Sequence, residues 1–278
     1  MSQEISAAVV MKLRNQTGLS MMECKKALQE VGGDFEKAED FLRKKLKGKM
    51  DARTDRAAGA GRIAVAIHGP DASGSTPHAA IIEVRAETDF TAINENFVKL
   101  VDTLASHAAE LPAGSVSPTA DMTAAVDKIR ITTGENCAFA RGIKFAGPAG
   151  TVFGAYVHHD GKTGALIQAE GEISPDQLKQ IGMHIVAAVP TPKGVSATDI
   201  PQEIVEKERK FRIDQAVESG KPKEIAEKMV EGGMRKFFEE IALLEQPYVV
   251  DPTKKVKDIV GSKAKLVAFA RFAVGETA

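Results

Sequence analysis

"HAAIIEVRAETDFTAINENF", residues 78–97, decides how this chain is built. Its first half is a run of apolar and β-branched side chains, the signature of a strand buried against a core. At Thr88 and Asp89 the run breaks into turn and cap formers that hold Phe90 between polar neighbours, and an amphipathic segment follows. That segment predicts a helix over about 94–110. Upstream, "RIAVAIHG" alternates with period two and is joined to this strand by the loop "PDASGSTP", which predicts an antiparallel hairpin with one face on a core. The unit then returns. "GTVFGAYVHHDGKTGALIQAEGEI", residues 150–173, again predicts two strands, here turning at Asp160-Gly161, with a helix over about 174–188. An internal duplication of a hairpin-plus-helix unit accounts for both halves.

Outside this pair the periodicity is helical. Near the N-terminus Ile5, Val9 and Leu13 share a helix face; Ser20 and Glu23 form a capping box; Asp34 can cap a third helix bearing Phe35, Ala38, Phe41 and Leu42. The lysine-rich, glycine-punctuated stretch that follows reads as an exposed linker. Residues 1–56 carry twelve Lys and Arg against nine Asp and Glu, too small an excess to imply RNA binding. Residues 201–238 hold two charged helical arms around Ser219-Gly220-Lys221-Pro222, stop and restart chemistry that predicts a protruding antiparallel hairpin. "QPYVVD" and "KLVAFARFAVG" read as strands, the latter an edge added to the second sheet. The expected fold is therefore α+β: a three-helix module (1–50), a linker (51–61), two related antiparallel-sheet-plus-helix subdomains (62–140, and 141–200 completed by 239–278) and a helical hairpin (201–238).

Composition bounds the chemistry. The 278 residues are 43% apolar, enough for two or three small cores, and 37 basic against 38 acidic residues give no field that recruits nucleic acid or a membrane surface. Cys24 and Cys137 stand far apart in no CxxC pattern, and the N-terminus lacks a long apolar run, so a reducing cytoplasm is the expected location. Catalytic signals are poor. "GKT" at 161–163 has Tyr156 where a phosphate loop needs its first glycine, and Gly59/Gly61 follow no strand. His158-His159-Asp160 admits a metal-dependent enzyme, although neighbouring strand residues point to opposite faces. The hairpin admits a passive binding or chaperone-like module. Met21-Met22, at a helix start, reads as half-buried packing or as a soft docking surface. An isolated phenylalanine is ordinarily core; with Thr88 and Asp89 able to lock its turn by bonding backbone amides, Phe90 can equally be a rigid interface anchor.

Five stretches are specific: "TGLSMMECKKAL", "ETDFTAINENF", "GMHIVAA", "VEKERKFRIDQAVESGKPKEIAEKMVEGGMRKF" and "LLEQPYVVDPTKKV". Together they resemble the bacterial elongation factor Ts family, nucleotide exchange factors for elongation factor Tu, nearly end to end. The resemblance implies that the N-terminal module is similar to ubiquitin-associated domains, that the protein is not an enzyme and needs no cofactor, and that its partner is elongation factor Tu. It implies that Thr88, Asp89 and Phe90 enter the partner's GTPase domain near its magnesium and switch region. It further implies that Arg14, Met21, Met22 and Lys25 touch the same domain, with Thr133, Gly134, His158 and Val249 supporting a second contact region. The helical hairpin is peripheral to exchange on this reading, and a homodimer or a heterotetramer with the partner is compatible with it.

Overall fold

The computed structural model describes residues 5–51, 55–69, 76–220 and 222–276. Part of the expected linker (52–54), of the first hairpin loop (70–75) and Lys221 of the helical turn lie outside the described residues. The first three helices are α1 (Ala7–Thr17), α2 (Met21–Glu30) and α3 (Phe35–Asp51). Local chemistry sets their ends. Ser6 caps α1, and Gly18 closes it at φ 71°, a left-handed conformation that glycine adopts without strain. The Ser20/Glu23 capping box opens α2. Asp34 accepts the Lys37 amide at 3.1 Å before α3. Val10, Leu13, Cys24, Ala27, Leu28, Ala38 and Leu42 form the module's own small core.

The first subdomain runs β1 (Ala60–His68), β2 (His78–Ala86), α4 (Asp89–Ala92), α5 (Glu95–Ala109), β3 (Gly114–Ser115), α6 (Ala120–Thr133) and β4 (Ala138–Ala146), in an antiparallel sheet ordered β1-β2-β4-β3. Four of these elements, α4, β3, α6 and β4, are absent from the sequence-based expectation, and the boundary expected at 140/141 falls inside β4. Likewise the expected linker ends too late, since β1 already starts at Ala60. Residues 56–58 are also not free of the body: the Arg56 carbonyl accepts from Asn136 Nδ2, and the Ala58 carbonyl accepts from Arg85.

The second subdomain contains β5 (Thr151–Val157), β6 (Thr163–Gly171), α7 (Pro175–Ala187), α8 (Gln202–Glu218), α9 (Lys223–Ile241), α10 (Val256–Val260) and β7 (Ala264–Ala273). Its sheet is β5-β6-β7, with β7 on the edge. "QPYVVD" is not a strand: Pro247 has no amide to give a ladder, and only an isolated bridge joins Pro247 to Lys255. The arms α8 and α9 pack on each other and rejoin the body through Ile200, Ile241 and Ala242, with Ile204, Val205, Phe237 and Phe238 against them. No helix among the described residues is long and apolar enough to cross a membrane.

The two sheets pack face to face, each with its helices on the outer side. Along β2 the alternation sorts side chains between two cores: Ala80, Ile82 and Val84 meet α5 and α6, whereas Ala79 and Ile81 meet the second sheet with Ile63, Phe153 and Leu166. A strand buried on both faces needs apolar residues at successive positions, which is why "AAIIEV" does not alternate. Each fully buried Ile or Leu there contributes about 1.5–3 kcal/mol. Within the seam Gly164 leaves room that a Cβ would fill, 2.9 Å from Ile63 Cγ2. The seam also buries Glu83, whose carboxylate lies 2.5 Å from Arg85 Nε and 2.6 Å from Arg141 Nε and accepts the Gly275 amide at 3.0 Å.

Candidate functional site

β2 ends at Ala86, and the chain turns directly into the single-turn helix α4. Thr88 caps it, its hydroxyl oxygen accepting from the Thr91 amide at 3.4 Å, while Thr91 and Ala92 bury themselves beneath. Asn94 caps α5 immediately afterwards. Between these two caps Phe90 is 84% exposed and Ile93 68% exposed. Phe90 is thus not a core residue. A large apolar side chain held outward costs hydration free energy that folding alone does not recover.

The turn is pinned from a second element. Thr88 donates its amide (3.1 Å) and its hydroxyl (2.6 Å) to the two oxygens of Glu135, and the Asn136 amide donates to Glu87 Oε1 at 2.7 Å. Glu135 stands where it does because Gly134 closes α6 with φ 72° and hands the chain straight to β4. Asp89 does not bond a backbone amide as expected; its carboxylate meets Lys162 Nζ at 2.9 Å. Lys162 lies on the β5-β6 turn, which the second subdomain brings alongside: the Ile63 amide donates to the Gly161 carbonyl at 2.8 Å. Asp89 raises the Lys162 ammonium above its ordinary pKa by hydrogen bond and charge.

On the same turn His158 Nδ1 lies 3.1 Å from Asp160 Oδ1. The Lys162 amide, then the His158 ring, hold the Asp160 carboxyl below its usual range. The rings of His158 and His159 are 4.1 Å apart, correcting the expectation that they point to opposite faces: β5 ends at Val157, so strand alternation no longer applies to them. Among the described residues, His158, His159 and Asp160 do not bring three ligand atoms within 4.8 Å of one another. Both cysteines are buried, and burial pushes the Cys137 thiol up to about 12, which leaves it un-ionised at neutral pH.

Thr88, Asp89, Phe90, Gly134 and His158 therefore gather at one end of the molecule, linked by Glu135 and Lys162. Thr133 is exposed at the last turn of α6, and Thr132 beside it packs on Gly18 of the three-helix module. In that module Arg14 and Lys25 are exposed, Met22 is 64% exposed and Met21 38%. Val249 belongs to a separate place. It sits against α7, where its amide donates to His184 Nδ1 at 3.2 Å, and His184 Nε2 lies 2.9 Å from Gln246 Oε1. With Nδ1 accepting, the ring proton is on Nε2, and burial lowers the His184 pKa. Sequence reading singles out neither Glu135 nor Lys162. The available signal is that each follows a glycine turn with a side chain able to reach a neighbouring loop.

The profile of the family described as "Elongation factor TS" matches residues 87–276. The Elongation factor Ts of Maricaulis maris (strain MCS10) is 38% identical over 296 aligned positions, covering 98% of this chain and 92% of that protein. That of Bartonella bacilliformis is also 38% identical, covering 98% of this chain and 93% of its own. With a profile covering more than half of the chain and relatives matched nearly end to end, this chain belongs to the elongation factor Ts family.

Proposed function

We propose that the protein promotes GDP release from elongation factor Tu, and that the outward ring of Phe90 is the part that acts on the GTPase domain. The carrying observation is the 84% exposure of Phe90 on a turn held by Glu135 and Lys162, because an aromatic fixed before contact loses little freedom on docking. Exchange of this kind needs no covalent step. A protein that binds the nucleotide-free GTPase more tightly than the nucleotide-bound one must weaken nucleotide binding by the same factor. Family membership supports the partner. On this reading Asp89 and Thr88 orient the ring, Arg14, Met21, Met22 and Lys25 add a contact from the three-helix module, and Thr133, Gly134, His158 and Val249 line further contact regions.

The test is stopped-flow release of a fluorescent GDP from elongation factor Tu. Truncating a central aromatic anchor costs more than about 2 kcal/mol, so Phe90→Ala should slow stimulated release by about 30-fold or more while the melting transition is retained. An unchanged rate removes Phe90 from the mechanism.

A further inference from the structure

We propose that His68, His78 and Glu110 form a binding site for a zinc-class divalent transition metal, at the end of the first sheet remote from Phe90. His68 closes β1 and His78 opens β2, and the register sets them directly opposite one another. Their rings lie nearly parallel, 5° apart in plane with centroids 5.2 Å apart. Helix α5 ends over the same edge with Glu110 as its C-cap. Nine residues of β2 separate this edge from the Phe90 turn, roughly 27 Å at the rise of an antiparallel strand.

Three donor atoms converge there. Glu110 Oε1 is 3.2 Å from His78 Nε2 and 3.5 Å from His68 Nδ1, and all three ligand atoms fall within 4.8 Å of one another. Zinc–ligand bonds of about 2.0–2.1 Å at tetrahedral angles put neighbouring ligand atoms about 3.3 Å apart. The two spacings from Glu110 match those of neighbouring ligands on one ion, and the two imidazole nitrogens lie within 4.8 Å of each other.

The hydrogen bonding favours a cation as well. His78 Nδ1 lies 2.8 Å from the Thr76 carbonyl, which can only accept, so Nδ1 carries the proton. In the neutral ring Nε2 is then a lone pair aimed at a carboxylate oxygen. Two acceptors facing each other at 3.2 Å call for a positive charge between them, supplied by a proton or by a metal. A ring whose second nitrogen is held by a backbone carbonyl is oriented as metal-ligating histidines are. Bound metal would tie the end of β1 and the start of β2 to the end of α5.

The test is equilibrium dialysis of the EDTA-stripped full-length protein against zinc chloride, in the presence of excess magnesium. The parent is expected to take up one zinc per chain, and zinc is expected to raise its melting midpoint. Losing one of the three ligands should weaken binding by at least about tenfold, read in His78→Asn and, at an exposed position that leaves the fold intact, in Glu110→Gln. His158→Ala, at the other end of the molecule, should bind as the parent does. Absence of stoichiometric zinc, binding unchanged in both ligand variants, or loss of binding in His158→Ala would each overturn the assignment.

Discussion

If a pinned turn is what makes Phe90 effective, the most informative perturbation leaves the ring alone and removes its support. Glu135→Ala deletes the carboxylate that receives both the amide and the hydroxyl of Thr88. Bonds to a charged acceptor contribute about 1.5–3 kcal/mol when shielded, and near the surface about 1 kcal/mol apiece. Two of them amount to about 2 kcal/mol of ordering, which the turn must then find when it docks. At about 1.4 kcal/mol per decade the ceiling on the loss is roughly 30-fold, and a fivefold loss corresponds to about half of that ordering being needed. Stimulated GDP release under subsaturating conditions should fall within those bounds, with Glu135→Gln intermediate because its amide oxygen can still accept. In a Phe90→Ala background the same substitution has no ring left to orient, so its effect should shrink below about twofold. Full activity in Glu135→Ala, alongside a slow Phe90→Ala, would show that the ring works from an unsupported loop and would refute the argument.

Three further outcomes follow from other parts of the structure. Glu83→Ala leaves Arg85 on β2 and Arg141 on the neighbouring strand β4 without their shared counter-charge, and urea unfolding should show a loss of about 3–5 kcal/mol. His184 is kept neutral by burial, so its pKa is depressed below the ordinary 6.5: its contribution is present above that value and fades as the pH falls and the unfolded chain takes up the proton. Melting midpoints from about pH 7 to pH 5 should accordingly drop more steeply in the parent than in His184→Gln, and parallel slopes would exclude this ring as the source. Replacing residues 209–232 by a short Gly-Ser link removes the distal arms but keeps Ile204, Val205, Phe237 and Phe238 at their base, so stimulated GDP release should stay within about threefold of the parent; collapse of exchange would make the arms part of the mechanism.

Much of the architecture is written in short-range chemistry. The Ser20/Glu23 box, the Asp34 cap and Asp160-Gly161 each act over a few residues, so the helices and the second hairpin are legible without tertiary knowledge. Strand β4 is not, because Arg141, Gly142 and Lys144 interrupt its apolar pattern for reasons that lie elsewhere in the fold. Arg141 serves Glu83, and a Cβ on Gly142 would meet Val116, Ile82 and Phe139 at 3.0–3.1 Å. "QPYVVD" misleads in the opposite direction. It has strand composition, but its Val249 amide goes to the His184 ring rather than to a ladder. At the candidate site, Thr88 as cap is local and readable, whereas the grip of Glu135 and Lys162 comes from residues 47 and 73 positions away, and such pairings leave no trace in periodicity.

The seam at Gly164 gives the molecule a gauge. Phe90 stands on one jaw and His158 on the other, and the distance between the sheets sets their relative reach, much as a shim sets the opening of a caliper. A single methyl group added there would press on Ile63 and prise the jaws apart. The span offered at the tip would then be altered by a residue that touches nothing outside its own fold.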